Sequence, residues 1–161
     1  MSSEYLETPF DKFLIFEIND ALIDAVTFSD VKKGSLLSSY IKSVMLNVFE
    51  TKDVALFDYT LLNISSYNDN QKSIHDFLKN SQRGQIITYS DVALSLYRNK
   101  KYARAVGKIL NANKFIFVVP CHRVVGKHFL GGYKYGSDLK KKILIWEGVK
   151  LNGNMNFQQN F

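Results

Sequence analysis

The chain has 161 residues, 46% of them hydrophobic, one cysteine and a formal net charge of +6. That length buries one substantial core or two small ones, and no apolar run reaches the ~20 residues that span a bilayer. A single thiol excludes an internal disulfide and a multi-cysteine zinc site, and His75, His122 and His128 lack metal-ligand spacing, so no structural metal is expected. The N-terminal "MSSEYLETPF" has neither the basic nor the apolar region of a secretory signal, which predicts an intracellular protein, cytoplasmic or, in a eukaryote, nuclear.

The charge is unevenly divided. Residues 1 to 71 hold five Lys/Arg against eleven Asp/Glu, and residues 72 to 150 hold sixteen against four. This predicts an acidic domain followed by a basic one that faces a polyanion, with a solvated lysine-rich surface as the plainer reading.

In chain order, "KFLIFEI" and "ALIDAVTF" flank the turn signal Asn19-Asp20 and predict a β-hairpin. After Gly34, Leu37, Tyr40, Ile41, Val44, Met45, Val48 and Phe49 recur at helical spacing. "VALFDYTLLNI" predicts a further strand. The polar stretch "SSYNDNQ", 65 to 71, breaks both periodicities where the charge changes sign. The domain boundary therefore falls there, giving an N-terminal α+β domain at 1–70 and a second domain at 71–150.

In the second domain, "SIHDFLKN" predicts a short helix before Gly84, and Tyr89, Val92, Ala93, Leu96 and Tyr97 mark another, capped by Thr88 or Ser90. Past the turn "RNK", Tyr102, Ala105, Val106, Ile109 and Leu110 mark a third, so a helix-turn-helix is a candidate. Arg104, Lys108 and Asn111 share its polar face, with the small Ala103 and Gly107 beside them, as suits a helix lying against DNA. Arg98, Lys100 and Lys101 surround its start, where the helix dipole also favours phosphate.

"FIFVVPCHRVVG", 115 to 126, predicts an extended buried run that delivers Cys121 next to His122 and Arg123. A neighbouring cation favours the thiolate, the nucleophilic form, whereas a lone cysteine is otherwise a small core residue. "GGYKYG" is a glycine-bounded aromatic loop, and "SDLKKKILIWEG" a helix capped by Ser137 or Asp138 that ends at Glu147. A nucleophilic cysteine needs a base and a group to orient that base; Cys121, His122 and Glu147 supply those types. The asparagine- and glutamine-rich residues 151–161 carry no charge and predict a frayed tail.

"VPCHRVVG", with "ARAVG" at 103–107, "NANKF" at 111–115, "GGYKYG" at 131–136 and the terminal "WEG", resembles the O6-alkylguanine-DNA alkyltransferases over about residues 70 to 150. The N-terminal part resembles them only in size and coarse element order. The resemblance implies an RNase H-like N-terminal domain, with an antiparallel sheet plus helix, before a mostly helical DNA-binding domain. It implies repair by direct reversal: the damaged guanine is flipped out of double-stranded DNA and Cys121 takes its alkyl group irreversibly, once per molecule and without cofactor. O4-alkylthymine is a further substrate to consider, and a monomer that loads cooperatively on DNA is compatible with the family.

Carried over, Cys121 is the acceptor, His122 its base through a water, Glu147 the polarising carboxylate and Asn113 the residue that holds the active-site turn. Arg104 would enter the duplex, Tyr89 press on the target phosphate, and Tyr133 hydrogen-bond the leaving guanine. Arg123 is structural or faces a phosphate, and Lys108, Ala103, Gly107 and Lys134 contact DNA. The chain departs from the family at Lys114-Phe115-Ile116, where a proline is common, and at Tyr135, in place of glycine. Both are expected to narrow the pocket and favour methyl over bulky adducts. A DNA-binding regulator with Cys121 as sensor or core residue, and a turnover cysteine hydrolase, are the competing readings.

Overall fold

The structure, a computed structural model, describes residues 1–150. The tail expected to fray lies outside them.

Strand β2 (Phe13–Asn19) and strand β3 (Leu22–Ser29) form the expected hairpin. Asp20 and Ala21 between them both have positive φ, the mirror-image turn whose twist matches paired strands. Register slips by one residue at Glu17/Ile18. The extra residue on β3 lets Ile23, Val26 and Phe28 all face the core. Strand β1 (Ser2–Glu7), which the polar N-terminal sequence conceals, pairs antiparallel to β2, and β4 (Ser35–Leu36) pairs parallel to β1. The sheet order is thus β3-β2-β1-β4. Gly34, at φ +77°, makes the close approach to β1: a Cβ there would lie 1.6 Å from the carbonyl oxygen of Ser3.

Helix α1 (Ser39–Thr51) lays Ile41, Met45 and Val48 on the sheet and ends at Lys52 in the left-handed region. The predicted strand at 54–64 does not form. Asp53 and Asp58 side chains accept from Ala55 N and Thr60 N, and each starts a one-turn 3₁₀ segment, Val54–Leu56 and Tyr59–Leu61. Only Leu62 bridges to the sheet, at Ile23. Short carboxylates that satisfy nearby amides compete with strand pairing.

Helix α2 (Asp69–Lys79) begins inside the polar stretch where the domain boundary is expected. Asn68 and Gln71 form a capping box there. Strand β5 (Ile87–Thr88) leads into α3 (Tyr89–Tyr97), which Thr88 caps reciprocally with Asp91. A 3₁₀ turn at Lys100–Tyr102 joins α3 to α4 (Ala103–Asn111). Strand β6 (Val124–Val125) pairs parallel to β5, and α5 (Ser137–Trp146) closes the fold. Neither Ser137 nor Asp138 caps α5, since its N-cap is Gly136 with no side-chain bond.

The acidic and basic halves share one core. Val26 N donates to the Lys114 carbonyl at 2.8 Å, and Ile116 N donates to the Val26 carbonyl at 3.0 Å, so β3 holds the chain just before Cys121. Phe10, Phe28 and Phe49 of the first half pack edge-on or tilted against Phe117 and Trp146 of the second. Among the described residues no helix is long and apolar enough to cross a membrane.

Candidate active site

The run 115–126 is not the extended strand its apolar sequence suggests. Only Phe115 and Ile116 lie along β3; Phe117 then takes φ +74° and the chain folds into successive tight turns. Val119 N donates to the Phe115 carbonyl at 2.9 Å and Cys121 N to the Val119 carbonyl at 2.7 Å. Cys121–Arg123 form a single 3₁₀ turn. In a 3₁₀ turn successive side chains are about 120° apart, whereas adjacent residues on a strand point in opposite directions.

Asn113 anchors the entry to these turns. Its Oδ1 accepts from Phe115 N at 3.0 Å and from the Tyr67 hydroxyl at 3.4 Å, and its Nδ2 donates to the Phe115 carbonyl at 3.4 Å. The Tyr67 hydroxyl accepts in turn from Lys114 N at 3.2 Å. Tyr67 was missed in the sequence, although a lone aromatic in a polar stretch is a signal that something packs on it.

His122 and Glu147 meet directly. The carboxylate Oε1 accepts from His122 Nε2 at 2.9 Å, with both side chains fully buried. Burial disfavours the charged imidazole and holds the His122 pKa down, although Glu147 pulls the other way. In a neutral ring whose Nε2 carries the proton toward a carboxylate, Nδ1 is the acceptor. Nδ1 has no protein hydrogen-bond partner. The ring is held by Phe117, stacked on it at 22° and 6.1 Å.

Arg123 occupies the other side of the carboxylate. It donates from Nε and Nη2 to Glu147 at 3.0 and 2.9 Å, and from Nη1 to the Ser81 carbonyl and hydroxyl at 2.7 and 2.9 Å. Its exposure is 0%, which removes it from any phosphate-facing role and leaves the structural one. Burial alone would raise the Glu147 carboxyl; attraction to His122 and its hydrogen bond, with those of Arg123, more than offset this and hold it at about 2.

Lys140 is a second buried cation that the sequence reading passed over. Its Nζ donates to the carbonyls of Val124 at 2.7 Å and Gly132 at 3.3 Å. Burial lowers its pKa to about 8 against the opposing pull of Cys121. Its spacing from Ile143 and Leu144 places it on the apolar face of α5, and that is the signal in the sequence. Burial pushes the Cys121 thiol up, while the Asn113 side chain and the Lys140 charge favour the thiolate.

Cys121, 7% exposed, lies in a cleft of about 360 Å³ lined also by Tyr89, Gly107, Leu110, Asn111, Ile116, Tyr133 and Lys134. The buried Tyr133 hydroxyl has no protein partner, and burial drives its pKa well up, so it stays a donor. Tyr89 packs on Gly107, where a Cβ would be 3.8 Å away. Tyr135 does not line the cleft itself: its ring packs edge-on against Phe28 at 5.5 Å and, at 6.3 Å, against Tyr133 of the cleft wall. The cleft opens into a shallower groove of about 500 Å³ along the start of α4, lined by Ala103, Arg104 and Gly107. Arg104 is exposed in the groove wall, and Lys108, Arg98, Lys100 and Lys101 are exposed on and just before α4. Among the described residues no cluster of three or more His, Cys, Asp or Glu side chains fits a metal ion.

The family model described as 6-O-methylguanine DNA methyltransferase, DNA binding domain, matches residues 69–149, half of the chain and every residue that lines the cleft. The chain belongs to the 6-O-methylguanine DNA methyltransferase family. A methylated-DNA--protein-cysteine methyltransferase of Methanocaldococcus vulcanius is 42% identical over 95 residues, 59% of this chain and 55% of that protein. A namesake from Sulfolobus acidocaldarius is 29% identical over 130 residues, 81% and 74% of the two chains. The chain thus spans about half the length of some curated relatives it matches. The crystal structure of the O6-methylguanine-DNA methyltransferase from Pyrococcus kodakaraensis strain KOD1 superposes with a TM-score of 0.73 at 26% identity, covering 92% of this chain and 99% of that one. Mycobacterium tuberculosis OGT in complex with DNA has the same fold, with a TM-score of 0.70 at 20% identity over 91% and 92%. The mixed α/β fold is therefore that of this methyltransferase family.

Proposed function

We propose that this protein repairs DNA by moving a methyl group from O6 of guanine to Cys121 Sγ. The observation that carries the proposal is the buried Glu147–His122 pair, whose free ring nitrogen belongs to the residue directly after the only thiol, and that thiol lines an open cleft.

In the proposed reaction the flipped guanine enters the cleft and the thiol proton passes through one water to His122 Nδ1. The S–C bond forms as the bond between methyl carbon and O6 breaks. The electron pair left on O6 is stabilised by the Tyr133 hydroxyl, a donor in a water-poor site. Glu147 holds the imidazolium that forms, while Arg123 and Asn113 position the base and the turn. A thioether cannot be displaced by water, so the protein reacts once.

We further propose α3 and α4 as a helix-turn-helix that presents Arg104, Lys108, Ala103 and Gly107 to double-stranded DNA, with Lys134 added from the loop at 131–136, Arg104 entering the duplex and Tyr89 on the target phosphate. Support comes from their exposed cations and from the groove that leads to Cys121. The N-terminal unit, 1–70, is proposed as RNase H-like on the strand order β3-β2-β1-β4 with β4 parallel to β1. The DNA-binding and acceptor unit is 71–150, and the protein acts inside the cell as a monomer.

The test is stoichiometry with excess duplex carrying O6-methylguanine. One methyl per protein, absent from Cys121→Ser, is expected. No transfer with sequence-specific binding points to a regulator, and continuing release of product to a hydrolase; either result refutes the proposal.

A further inference from the structure

The turn at 126–129 closes on a 2.9 Å hydrogen bond from Gly126 N to the Phe129 carbonyl. It sets the Phe129 ring so tightly over Gly126 that a Cβ there would lie 2.3 Å from ring carbon Cε1. A bare glycine backbone is thus the ring's platform. Most of the residue still faces solvent: Phe129 is 62% exposed, between the buried Val125 and Leu130 in the chain. A single exposed aromatic is ordinary in itself.

Its surroundings are not ordinary. Phe129 lines the 500 Å³ groove with Tyr89, Arg104, Gly107 and Lys127, and no acidic side chain lines it. The groove and the Cys121 cleft share Tyr89, Gly107 and Gly132, so they are continuous. A guanine that enters the cleft leaves its neighbours in the strand with one stacking face uncovered, while their phosphates meet the cations of the groove. An aromatic plane in a basic groove is the arrangement on which unstacked bases settle, regardless of their identity.

We propose that Phe129 stacks on a nucleobase next to the flipped guanine, as an apolar DNA contact in the same groove as Arg104. The inference rests on the repair reading above.

The test uses the full chain with Cys121→Ser, so that the complex does not react, and duplexes containing O6-methylguanine, with affinity read by fluorescence anisotropy. Phe129→Ala is expected to weaken binding about tenfold, the scale of one lost base stack, and Phe129→Trp to preserve it. The loss should vanish on a duplex whose nucleotides flanking the lesion are abasic. Phe129→Leu keeps apolar volume over Gly126 without an aromatic plane and should behave like the alanine variant. Parent-like affinity of the alanine or leucine variant overturns the inference, as does a loss undiminished on abasic flanks. Methyl uptake by the parent, measured alongside, separates the failures. A parent that transfers methyl while Phe129→Ala binds normally refutes only the stacking role; a parent that takes up no methyl removes the repair reading and this inference together.

Discussion

Replacing Glu147 by Gln removes one negative charge without changing side-chain volume. Its carboxylate, fully buried, is the partner of His122 Nε2 and of two Arg123 nitrogens. Holding that carboxyl at about 2, from an ordinary 4.5, is worth about 3 kcal/mol of folding free energy at pH 7. The same figure follows from stranding Arg123, since removing one partner of a buried ion pair costs about 3–5 kcal/mol. For a chain of this size, 3 kcal/mol lowers Tm by about 6–12 °C.

The pH dependence identifies the cause. A depressed carboxylate contributes stability that is complete above its unfolded pKa and fades as pH falls through the folded one. The gap between parent and Glu147→Gln should therefore shrink from about 3 kcal/mol at pH 7 to about 1 kcal/mol at pH 3 and vanish below pH 2. Denaturant unfolding at each pH measures this, with Trp146 fluorescence as the probe. A variant within about 1 kcal/mol of the parent at pH 7, or a gap of equal size at pH 3, would refute the reasoning.

Asn113→Ala leaves Phe115 N–H buried without its acceptor and should cost about 2 kcal/mol, or about 4–8 °C in Tm, with slower methyl transfer. Asn113→Asp restores the acceptor and should recover the stability but not the rate, because a new negative charge disfavours the thiolate; equal recovery of both would count against that account. Lys140→Met removes the buried cation that favours the Cys121 thiolate and should cut alkylation of Cys121 by iodoacetamide at pH 7 about tenfold, moving the pH–rate curve to higher pH. An unchanged curve rejects the electrostatic role.

The elements that could be read from the sequence are those whose signal is local. The hairpin at 13–29, α1, α3 and α4 follow from side-chain period and from turn and cap residues close in the chain, and the structure has them. The errors have local causes as well. Asp53 and Asp58 turned a strand-like composition into 3₁₀ turns, and the Asn68–Gln71 capping box made the polar stretch at the expected boundary into the start of α2. Strand β1 escaped because its pairing with β2 and β4, rather than its own apolar content, makes it a strand.

For the site, the sequence by itself determined the chemical types and their order: one thiol, the histidine and arginine after it, an asparagine eight residues before it and a carboxylate at the end of the last helix. Only the tertiary structure decided their assignments. Arg123 became a buried support rather than a phosphate contact because Ser81 and Glu147, 42 and 24 residues away, converge on its guanidinium. Lys140 became part of the site because α5 packs it against Val124, and Tyr135 left the cleft because β3 offers Phe28 to its ring. Charge and periodicity act over neighbouring residues, whereas burial and hydrogen-bond satisfaction depend on which distant segments meet. The role of a charged side chain in the core is therefore settled when those segments pack.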